Sequence, residues 1–594
     1  MKKILFLSLA LRAWGALAQP AAYTTANLHS HNDYEQPIPF YAAYHAGFGS
    51  IEADIFLHNG QLLVAHTDKE LSAGRTLEKL YLQPLQALGS KVHPVQMMID
   101  IKTDSVQTLN KLVEVLQQYP SLIQNKDITW VISGNRPAVS AYNNYPSFIS
   151  FDGELHKTYP AEVLPKIAML SGPLQAVTKW NGKGVLEEMD KNKVQQLIDK
   201  GHQLHKTVRF WAAPDVVNAW YQLMHLGVDF INTDNIEGAA SFLQHLPASS
   251  YTATQQHAAY TPAFTTDGSH KKAKNIILII GDGTGLAQWY TGYTANKGQL
   301  SVFNIRNTGL SKTSSHDSYI TDSAPGSTAF ASGVKTNNRF VGVDHTGQAL
   351  TLLPAIISRK KMLTGIVTSG DITDATPADF YAHRNERENS NGILQDLATA
   401  PVQLLMGAGN KQLAANAANL QQHGYHITRS LDSLPAQTSQ RYIVADSIAG
   451  LSILKGRGNW LSNAFDKATT LLKQQNNGYL LVLEGAQVDY GGHANHIGYI
   501  AEEVMDLDKV ITKALQLADA DKETLVIITA DHETGGLSLL DGDISKGYIS
   551  GHFSTNDHTA IPVPVYAYGP QSQLFTGVYE NTEVFRKILQ SLGF

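Results

Sequence analysis

The segment Asn275-Ile-Ile-Leu-Ile-Ile-Gly-Asp-Gly-Thr-Gly285 decides the fold of the second half of the chain. Its apolar run has the length of one buried strand, and a polar motif rich in glycine follows at once. Runs that are apolar on both faces are typical of a parallel sheet covered by helices on each side. We therefore predict an α/β domain with a doubly wound α/β/α sheet and a site at the carboxyl ends of its strands. The runs are residues 276–280, 363–368, 402–406, 479–483, 525–529 and 563–566.

The first half alternates short apolar runs with amphipathic stretches such as residues 105–118 and 191–202. About eight strands that alternate with helices in about 230 residues fit a (β/α)8 barrel better than an open sheet. We expect the barrel over residues 23–245, a polar linker over 246–273 and the sheet domain over 274–594. The apolar runs are residues 26–29, 50–56, 95–101, 128–132, 148–151, 166–169, 208–211 and 230–233.

Residues 1–18 are typical of a secretory signal peptide, with Lys2 and Lys3 before an apolar run and small residues before Gln19. We therefore expect export, to the periplasm or the medium. No second long apolar stretch follows, so we expect no membrane span. The chain has no cysteine, which excludes disulfides and thiolate zinc ligands. A net charge of −6 over 594 residues argues against nucleic-acid binding.

The segment Thr321-Asp-Ser-Ala-Pro-Gly-Ser-Thr-Ala329 places a hydroxyl beside an acid among small residues. A serine needs such surroundings if it is to approach a metal ion and a phosphate together. Removing a phosphate from a monoester requires stabilisation of a nucleophile and of a leaving alkoxide, and two close metal ions can supply both. Ser323 is therefore our candidate nucleophile.

Carboxylates and histidines elsewhere in the second half form candidate metal sites. Asp489 and His493 are four residues apart, so one helical turn could direct both to one ion. Oxygen and imidazole ligands suit zinc, and a set with oxygen ligands alone suits magnesium. The two zinc sets are Asp489, His493 and His558, and Asp282, Asp531 and His532. The magnesium set is Asp282, Thr376 and Glu484.

Together and in this order, these motifs resemble the alkaline phosphatase family over roughly the second half of the chain. The resemblance implies that Ser323 attacks phosphorus and forms a phosphoseryl intermediate. It also implies that the zinc at Asp489 activates water and that the zinc at Asp282 lowers the pKa of Ser323. Arg387 falls where the family carries a phosphate-clamping arginine, whereas Tyr490 departs from the lysine or histidine of many members. Such an enzyme would act on small-molecule phosphate esters, and a homodimer is one assembly that we consider.

Other functions remain open for the second half, because phosphodiesterases, sulfatases and phosphomutases share the fold implied by this resemblance. Ser323 argues against a sulfatase, whose nucleophile usually lies in another motif. Arg387, with Thr376 and Glu484, favours monoesters. The glycine-rich segment 281–285 lacks the full nucleotide-binding signature.

The barrel carries a second set of polar motifs, in the order His29-Ser-His-Asn-Asp-Tyr34, Glu52-Ala-Asp54 and His66. Strand alternation turns Glu52 and Asp54 to the same side, where with Asp100 they could bind one calcium or magnesium ion. The order resembles the glycerophosphodiester phosphodiesterase and phosphatidylinositol phospholipase C superfamily.

Within that resemblance, His31 and His66 would act as base and acid on a phosphodiester, and Lys102 and Arg136 are candidate phosphate contacts. The barrel would then hydrolyse diesters such as glycerophosphodiesters and supply monoesters to the second domain. The alternative is an inactive barrel that serves as a binding or scaffold module.

Overall fold

The computed structural model describes residues 22–437 and 439–594, so the expected signal peptide lies outside the described residues. The chain divides into a first unit that ends at Leu246 and a second that begins at Pro247. No helix in these described stretches combines the length and the apolar character that crossing a membrane would need.

The first unit is a closed barrel of eight parallel strands, as the sequence predicts. Closure follows because β1 pairs with both β2 and β9, while β3 adds an antiparallel hairpin to β2. Its strands are β1 (Leu28–Ser30), β2 (Ser50–His58), β3 (Gln61–Val64), β4 (Val95–Ile101), β5 (Ile128–Gly134), β6 (Ile149–Glu154), β7 (Ile167–Pro173), β8 (Thr207–Trp211) and β9 (Phe230–Thr233). Its helices are α1 (Tyr41–His45), α2 (Gln83–Leu88), α3 (Ser105–Gln117), α4 (Pro120–Ile123), α5 (Glu188–Gln203), α6 (Val217–Leu226) and α7 (Ile236–His245).

Side-chain alternation along β2 separates the core of the barrel from its polar interior. Ile51, Ala53 and Ile55 join one hydrophobic cluster with helix residues such as Leu109, whereas Glu52 lines a cavity. Successive residues of a strand point to opposite faces, so a single strand can serve both the packing under the helices and the polar centre.

The second unit is built on a ten-stranded sheet in the order β15-β16-β14-β13-β17-β11-β18-β23-β12-β24. Its ladders are parallel except for the two that β23 makes, with β18 and with β12. The strands of this unit are β10 (Ser250–Thr252), β11 (Asn275–Gly281), β12 (Asn307–Lys312), β13 (Leu363–Asp371), β14 (Leu404–Ala408), β15 (Tyr425–Thr428), β16 (Arg441–Ala445), β17 (Tyr479–Gly485), β18 (Thr524–Thr529), β19 (Glu533–Thr534), β20 (Leu537–Asp543), β21 (Tyr548–Phe553), β22 (His558–Thr559), β23 (Val563–Tyr568) and β24 (Gly577–Glu580).

Helices pack on both faces of this sheet, which confirms the predicted doubly wound fold. Along β11, Ile276, Leu278 and Ile280 join one hydrophobic cluster, and Ile277 and Ile279 join another. The continuous apolar run therefore contributes side chains to two hydrophobic cores, one on each face of the sheet. The helices are α8 (Leu286–Ala295), α9 (Ser323–Ser332), α10 (Leu353–Ile357), α11 (Ala375–Ala378), α12 (Ser390–Leu397), α13 (Lys411–Gln422), α14 (Trp460–Leu472), α15 (Gln487–His493), α16 (Ile497–Asp521) and α17 (Thr582–Leu592).

Residues 247–273, which make up most of the expected linker, pack within the second unit. Strand β10 pairs in antiparallel fashion with β21, at the edge of a three-stranded sheet. His257 Nε2 lies 2.8 Å from Asp508 Oδ2, and the Tyr260 hydroxyl donates to Asp519 over 2.7 Å. The segment is irregular in its sequence pattern because side-chain contacts of this kind, rather than a repeating apolar face, hold it in place.

Candidate active sites

Ser323 is the first residue of helix α9, and Asp322 stands at its N-cap. The Asp322 carboxylate does not cap the helix, because it accepts hydrogen bonds from Arg387 and from the backbone N–H of Arg339 instead. The positive end of the helix dipole therefore stays available to an anion beside the serine. The Ser323 hydroxyl lies 3.1 Å from Nε2 of His532.

Asp489, His493 and His558 lie close together in the structure. His493 Nε2 lies 3.3 Å from Asp489 Oδ2 and 3.2 Å from His558 Nε2, which is itself 3.7 Å from Asp489 Oδ1. Burial alone would raise the pKa of Asp489, but the hydrogen bond from His493 and the neighbouring imidazoles lower it to about 2. The same hydrogen bond, against burial, raises the pKa of His493 to about 9.

Asp282, Asp531 and His532 form a second, fully enclosed set. His532 Nε2 lies 3.5 Å from Asp282 Oδ1 and 3.2 Å from Asp531 Oδ2. Asp282 follows β11 at a turn where Gly283 has φ +68°, and a Cβ at Gly283 would lie 2.9 Å from Cβ of Asp489. Glycine thus lets the turn after β11 approach helix α15 closely.

The electrostatics of this enclosed set fit a cation. Burial, and then the charges of Asp531 and Asp489, raise the pKa of Asp282 well above its usual value, while burial lowers the pKa of His532. Asp282 Oδ1 and Asp531 Oδ2 are buried and accept no hydrogen bond from the described residues. Buried acids without donors are stable in the charged form only beside a positive charge, which a divalent ion supplies.

Glu484 lies near the end of β17, and Thr376 lies in α11. Burial raises the pKa of Glu484 to about 8, against hydrogen bonds from Thr368 and Thr376. The charge of Asp374 contributes to this rise. This oxygen-rich arrangement fits the hard cation expected from the sequence.

Arg387 is held between the carboxylates of Asp322 and Asp374. Its guanidinium donates to Asp322 and, over 2.9 Å, to Asp374 Oδ1. Tyr490 donates to the other oxygen of Asp374 over 3.0 Å. Burial disfavours the charge of Arg387, but Asp322 and Asp374 raise its pKa above the usual range, so the side chain stays cationic.

Other residues of this site were not predicted. Thr534 donates to Asp489 Oδ1 over 2.5 Å and lies 3.2 Å from Nδ1 of His532, so it contacts both histidine–carboxylate sets. Thr368 donates to Glu484. A signal for Thr534 exists in the sequence, since it lies two residues after the Asp531-His532 pair.

In the barrel, the carboxylates of Glu52, Asp54 and Asp100 lie close together. Strands β2 and β4 pair Asp54 directly with Asp100, and ligand oxygens from all three residues lie within 4.8 Å of one another. Lys102 Nζ lies 2.9 Å from Asp54 Oδ2 and 3.0 Å from Asp100 Oδ1. Burial raises the pKa of Asp54 to about 6, and Glu52 adds to this rise. The cluster already contains one cation that neutralises part of its charge.

The two candidate histidines of the barrel have different partners. Nδ1 of His31 lies 2.8 Å from Asp234 Oδ1. Burial opposes the charge of His31, but Asp234 and Glu52 outweigh it and raise its pKa. Nδ1 of His66 lies 2.9 Å from the Tyr34 hydroxyl, which donates to Asp54 over 2.7 Å.

A cavity of about 490 Å³ is lined by both histidines and also by Arg136 and Trp211. The Arg136 guanidinium donates to Glu154 over 3.2 Å. Arg209 and Asp152, both buried, also line the cavity and were not predicted. No sequence motif marks either residue as part of a site, because they come together with the other polar groups only when the barrel closes.

The fold and these enclosed carboxylate–histidine sets define a metal-using hydrolase of phosphate esters. The family model described as alkaline phosphatase matches residues 273–447 and 457–550. Alkaline phosphatase H of Pseudomonas aeruginosa (strain UCBPP-PA14) is 31% identical over 420 residues, which cover 56% of this chain and 88% of that protein. Alkaline phosphatase 3 of Bacillus subtilis (strain 168) is 29% identical over 423 residues, which cover 55% of this chain and 90% of that protein.

Solved structures agree. The alkaline phosphatase from the Antarctic bacterium TAB5 is 36% identical, with a TM-score of 0.51, and the match covers 55% of this chain and 99% of that one. A related structure of a TAB5 mutant has magnesium bound in its M3 site. The chain belongs to the alkaline phosphatase family and is a phosphomonoesterase. At its N-terminal end, residues 21–109 match the AIM6-like phosphodiesterase domain.

Proposed function

We propose that the second domain is an exported alkaline phosphatase that acts through a phosphoserine on Ser323, with two zinc ions and one magnesium ion. The observation that carries the proposal is the position of the Ser323 hydroxyl. It lies at the start of α9, 3.1 Å from His532 and beside the ion-paired Arg387. In this proposal, the nucleophile contacts one set of metal ligands, and the residue before it, Asp322, is paired with the arginine that binds the phosphate.

In this proposal each ion has its own ligands. When bound, the ions favour the deprotonated serine and offset the negative charge that develops on the reacting oxygens. One zinc set is Asp489, His493 and His558, the other is Asp282, Asp531 and His532, and magnesium takes Asp282, Thr376 and Glu484.

The chain's own residues then carry out a two-step transfer. Ser323 Oγ attacks phosphorus, the bond from phosphorus to the ester oxygen breaks, and the alcohol departs with a proton. The forked guanidinium of Arg387 binds two phosphate oxygens and keeps the group in line, with the α9 N-terminus beside it. Water then cleaves the phosphoserine, which releases phosphate and restores Ser323.

A comparison of three substrates with one leaving group tests this assignment. We expect the intact enzyme to hydrolyse an aryl phosphate monoester at least about 100-fold faster than the matching diester or sulfate ester, because the site stabilises the charge of a terminal phosphate. A diester or sulfate preference would place the enzyme in another branch of the fold.

For the barrel, the proposal is a phosphodiesterase that makes monoesters for the phosphatase domain. Glu52, Asp54 and Asp100 would hold one calcium or magnesium ion, whose charge would offset that of the phosphodiester. His31 and His66 would serve as proton-transfer groups, and Lys102 and Arg136 as phosphate contacts. The close approach of the three carboxylate ligand oxygens supports this.

The decisive experiment uses the Ser323→Ala protein with calcium, zinc and glycerophosphodiesters, and reads the products by mass spectrometry. Accumulation of glycerol phosphate or a cyclic phosphate supports an active barrel. The same product in a variant that also carries His31→Ala and His66→Ala would contradict the roles of the histidines. No product, with the wild type still cleaving monoesters, would favour the alternative of a binding or scaffold module.

Export and assembly are part of the proposal. The signal-like residues 1–18 support transfer to the periplasm or the medium, and N-terminal sequencing of the secreted protein tests it. A homodimer remains a prediction, which light scattering of the metal-loaded protein tests.

A further inference from the structure

The floor of the barrel cavity carries a carboxylate with no task in the proposed chemistry. Asp152, on β6, lines the cavity and is 2% exposed. Ser133 and Ser171, on the neighbouring strands β5 and β7, donate to its Oδ2 over 3.1 and 2.6 Å. Its other oxygen, Oδ1, is buried and accepts no hydrogen bond from the described residues. A buried carboxylate oxygen that accepts no hydrogen bond costs free energy. Asp152 therefore has room for one more hydrogen-bond donor.

Arg209, on β8, connects Asp152 to the proposed ion ligands. Its Nη1 donates to Glu52 Oε2 over 3.0 Å, and its Nη2 lies 4.0 Å from Asp152 Oδ2. The width of one guanidinium therefore separates Glu52 from Asp152. Nε of Arg209 is also buried without an acceptor among the described residues.

The chemistry of this pair selects the group that would bind there. A phosphate oxygen would be repelled by the Asp152 carboxylate, and an apolar group would leave Asp152 Oδ1 and Arg209 Nε without a hydrogen-bond partner. A hydroxyl both donates and accepts, so it can satisfy a carboxylate oxygen and a guanidinium together. With the phosphate at the ion ligands, such a hydroxyl would belong to a nearby carbon of the esterified alcohol.

We infer that Asp152 is a specificity-determining residue that binds a free hydroxyl of the substrate's alcohol, an inference that rests on the proposed diesterase function of the barrel. The substrates are phosphodiesters of polyols, in which a hydroxyl remains free close to the ester. Diesters of simple phenols or alkyl alcohols leave Asp152 unpaired. A site built to bind a hydroxyl discriminates strongly against analogues that lack it.

The test compares two substrates in the Ser323→Ala background, with calcium and zinc present. One is glycerophosphocholine, which keeps free hydroxyls, and the other is bis(4-nitrophenyl) phosphate, which has none. We expect Asp152→Asn to lower kcat/KM for glycerophosphocholine by about 10- to 100-fold and to change that for the aryl diester by less than about 3-fold. An equal loss on both substrates would overturn the inference.

Asp33→Asn is the matched control. Asp33 is fully buried in the same barrel, but its carboxylate binds Ser30, Tyr81 and the backbone of Phe40 rather than lining the cavity. Asp33→Asn makes the same chemical change as Asp152→Asn. It therefore measures the effect on the fold of losing one buried carboxylate charge. We expect its ratio of the two kcat/KM values to stay at the wild-type level.

Calorimetry separates this inference from the proposed function. If neither diester is cleaved, the diesterase proposal fails, and the affinity for glycerophosphocholine then decides the role of Asp152. We expect binding to the Ser323→Ala protein to weaken about 10-fold or more on adding Asp152→Asn. Unchanged affinity, or no binding before the Asp152 change, would overturn the hydroxyl site.

Discussion

The hydroxyl of Tyr490 donates a hydrogen bond to Oδ2 of Asp374 over 3.0 Å. Asp374 uses its other oxygen to hold Arg387, so the tyrosine acts on the arginine through one intermediate carboxylate.

The first prediction follows from this contact. We expect Tyr490→Phe to raise KM for an aryl phosphate monoester, and the inhibition constant of inorganic phosphate, by about 3- to 10-fold, since Arg387 loses part of its orientation. We expect kcat to change less than KM. Steady-state kinetics measure both, and Tyr290→Phe, at an exposed tyrosine, is the control. Unchanged constants in the Tyr490 variant would show that Asp374 needs no support.

The second prediction concerns the nucleophile. Ser323→Ala should lower monoester turnover by about 1,000-fold or more while zinc stays bound, because the carboxylates and histidines of both sets remain. Turnover assays with elemental analysis of the same sample measure both quantities. Full activity in the alanine variant would refute the assignment of Ser323.

The third prediction concerns metal removal. EDTA should abolish monoesterase activity, and zinc together with magnesium should restore it. The thermal midpoint should also fall, since buried acids such as Asp282 and Asp531 then lack a compensating charge. Calorimetric melting with and without the ions tests this, and recovery of activity with calcium alone would contradict the ligand sets.

The fourth prediction concerns stability away from both sites. Arg457 is buried with Glu503 and Asp506, and its guanidinium donates to both carboxylates. Arg457→Ala should destabilise the second unit by about 3–5 kcal/mol. Among the described residues, Arg457 is the one fully buried cation that pairs with these two acids, since Lys509, which lies 3.8 Å from Asp506, is partly exposed. Chemical denaturation measures the change.

Lys513→Ala provides the control for that experiment. Lys513 pairs with Asp466 at the surface, so its removal should cost less than about 1 kcal/mol. A similar loss in both variants would mean that burial does not set the strength of the Arg457 network.

The sequence predicted the barrel well because most of its parallel strands contain or overlap a short apolar run. The run at residues 26–29 corresponds to Leu28–Ser30, and the run at 95–101 matches Val95–Ile101. Strands at the margins of the second sheet were missed, since Asn307–Lys312 and Gly577–Glu580 are largely polar or exposed and carry no apolar signal.

Candidate site residues could be found in the sequence where a polar side chain comes directly after a strand. Asp282 and the Asp531-His532 pair carry that signal, and the structure brings them together. Arg209 carries no such signal, because its partner Glu52 is 157 residues away and meets it only when the barrel closes. Asp152 likewise looks like an ordinary strand residue until its serine neighbours are known.

The pairing of β10 with β21 sets where this protein can be divided. A phosphatase half that starts at residue 274 would leave the backbone groups of residues 548–550 uncovered along one side, and it would remove His257 and Tyr260 from helix α16. Uncovered strand edges invite self-association. A gene fragment meant to yield the second unit alone should therefore begin near Pro247, and the shorter fragment should aggregate.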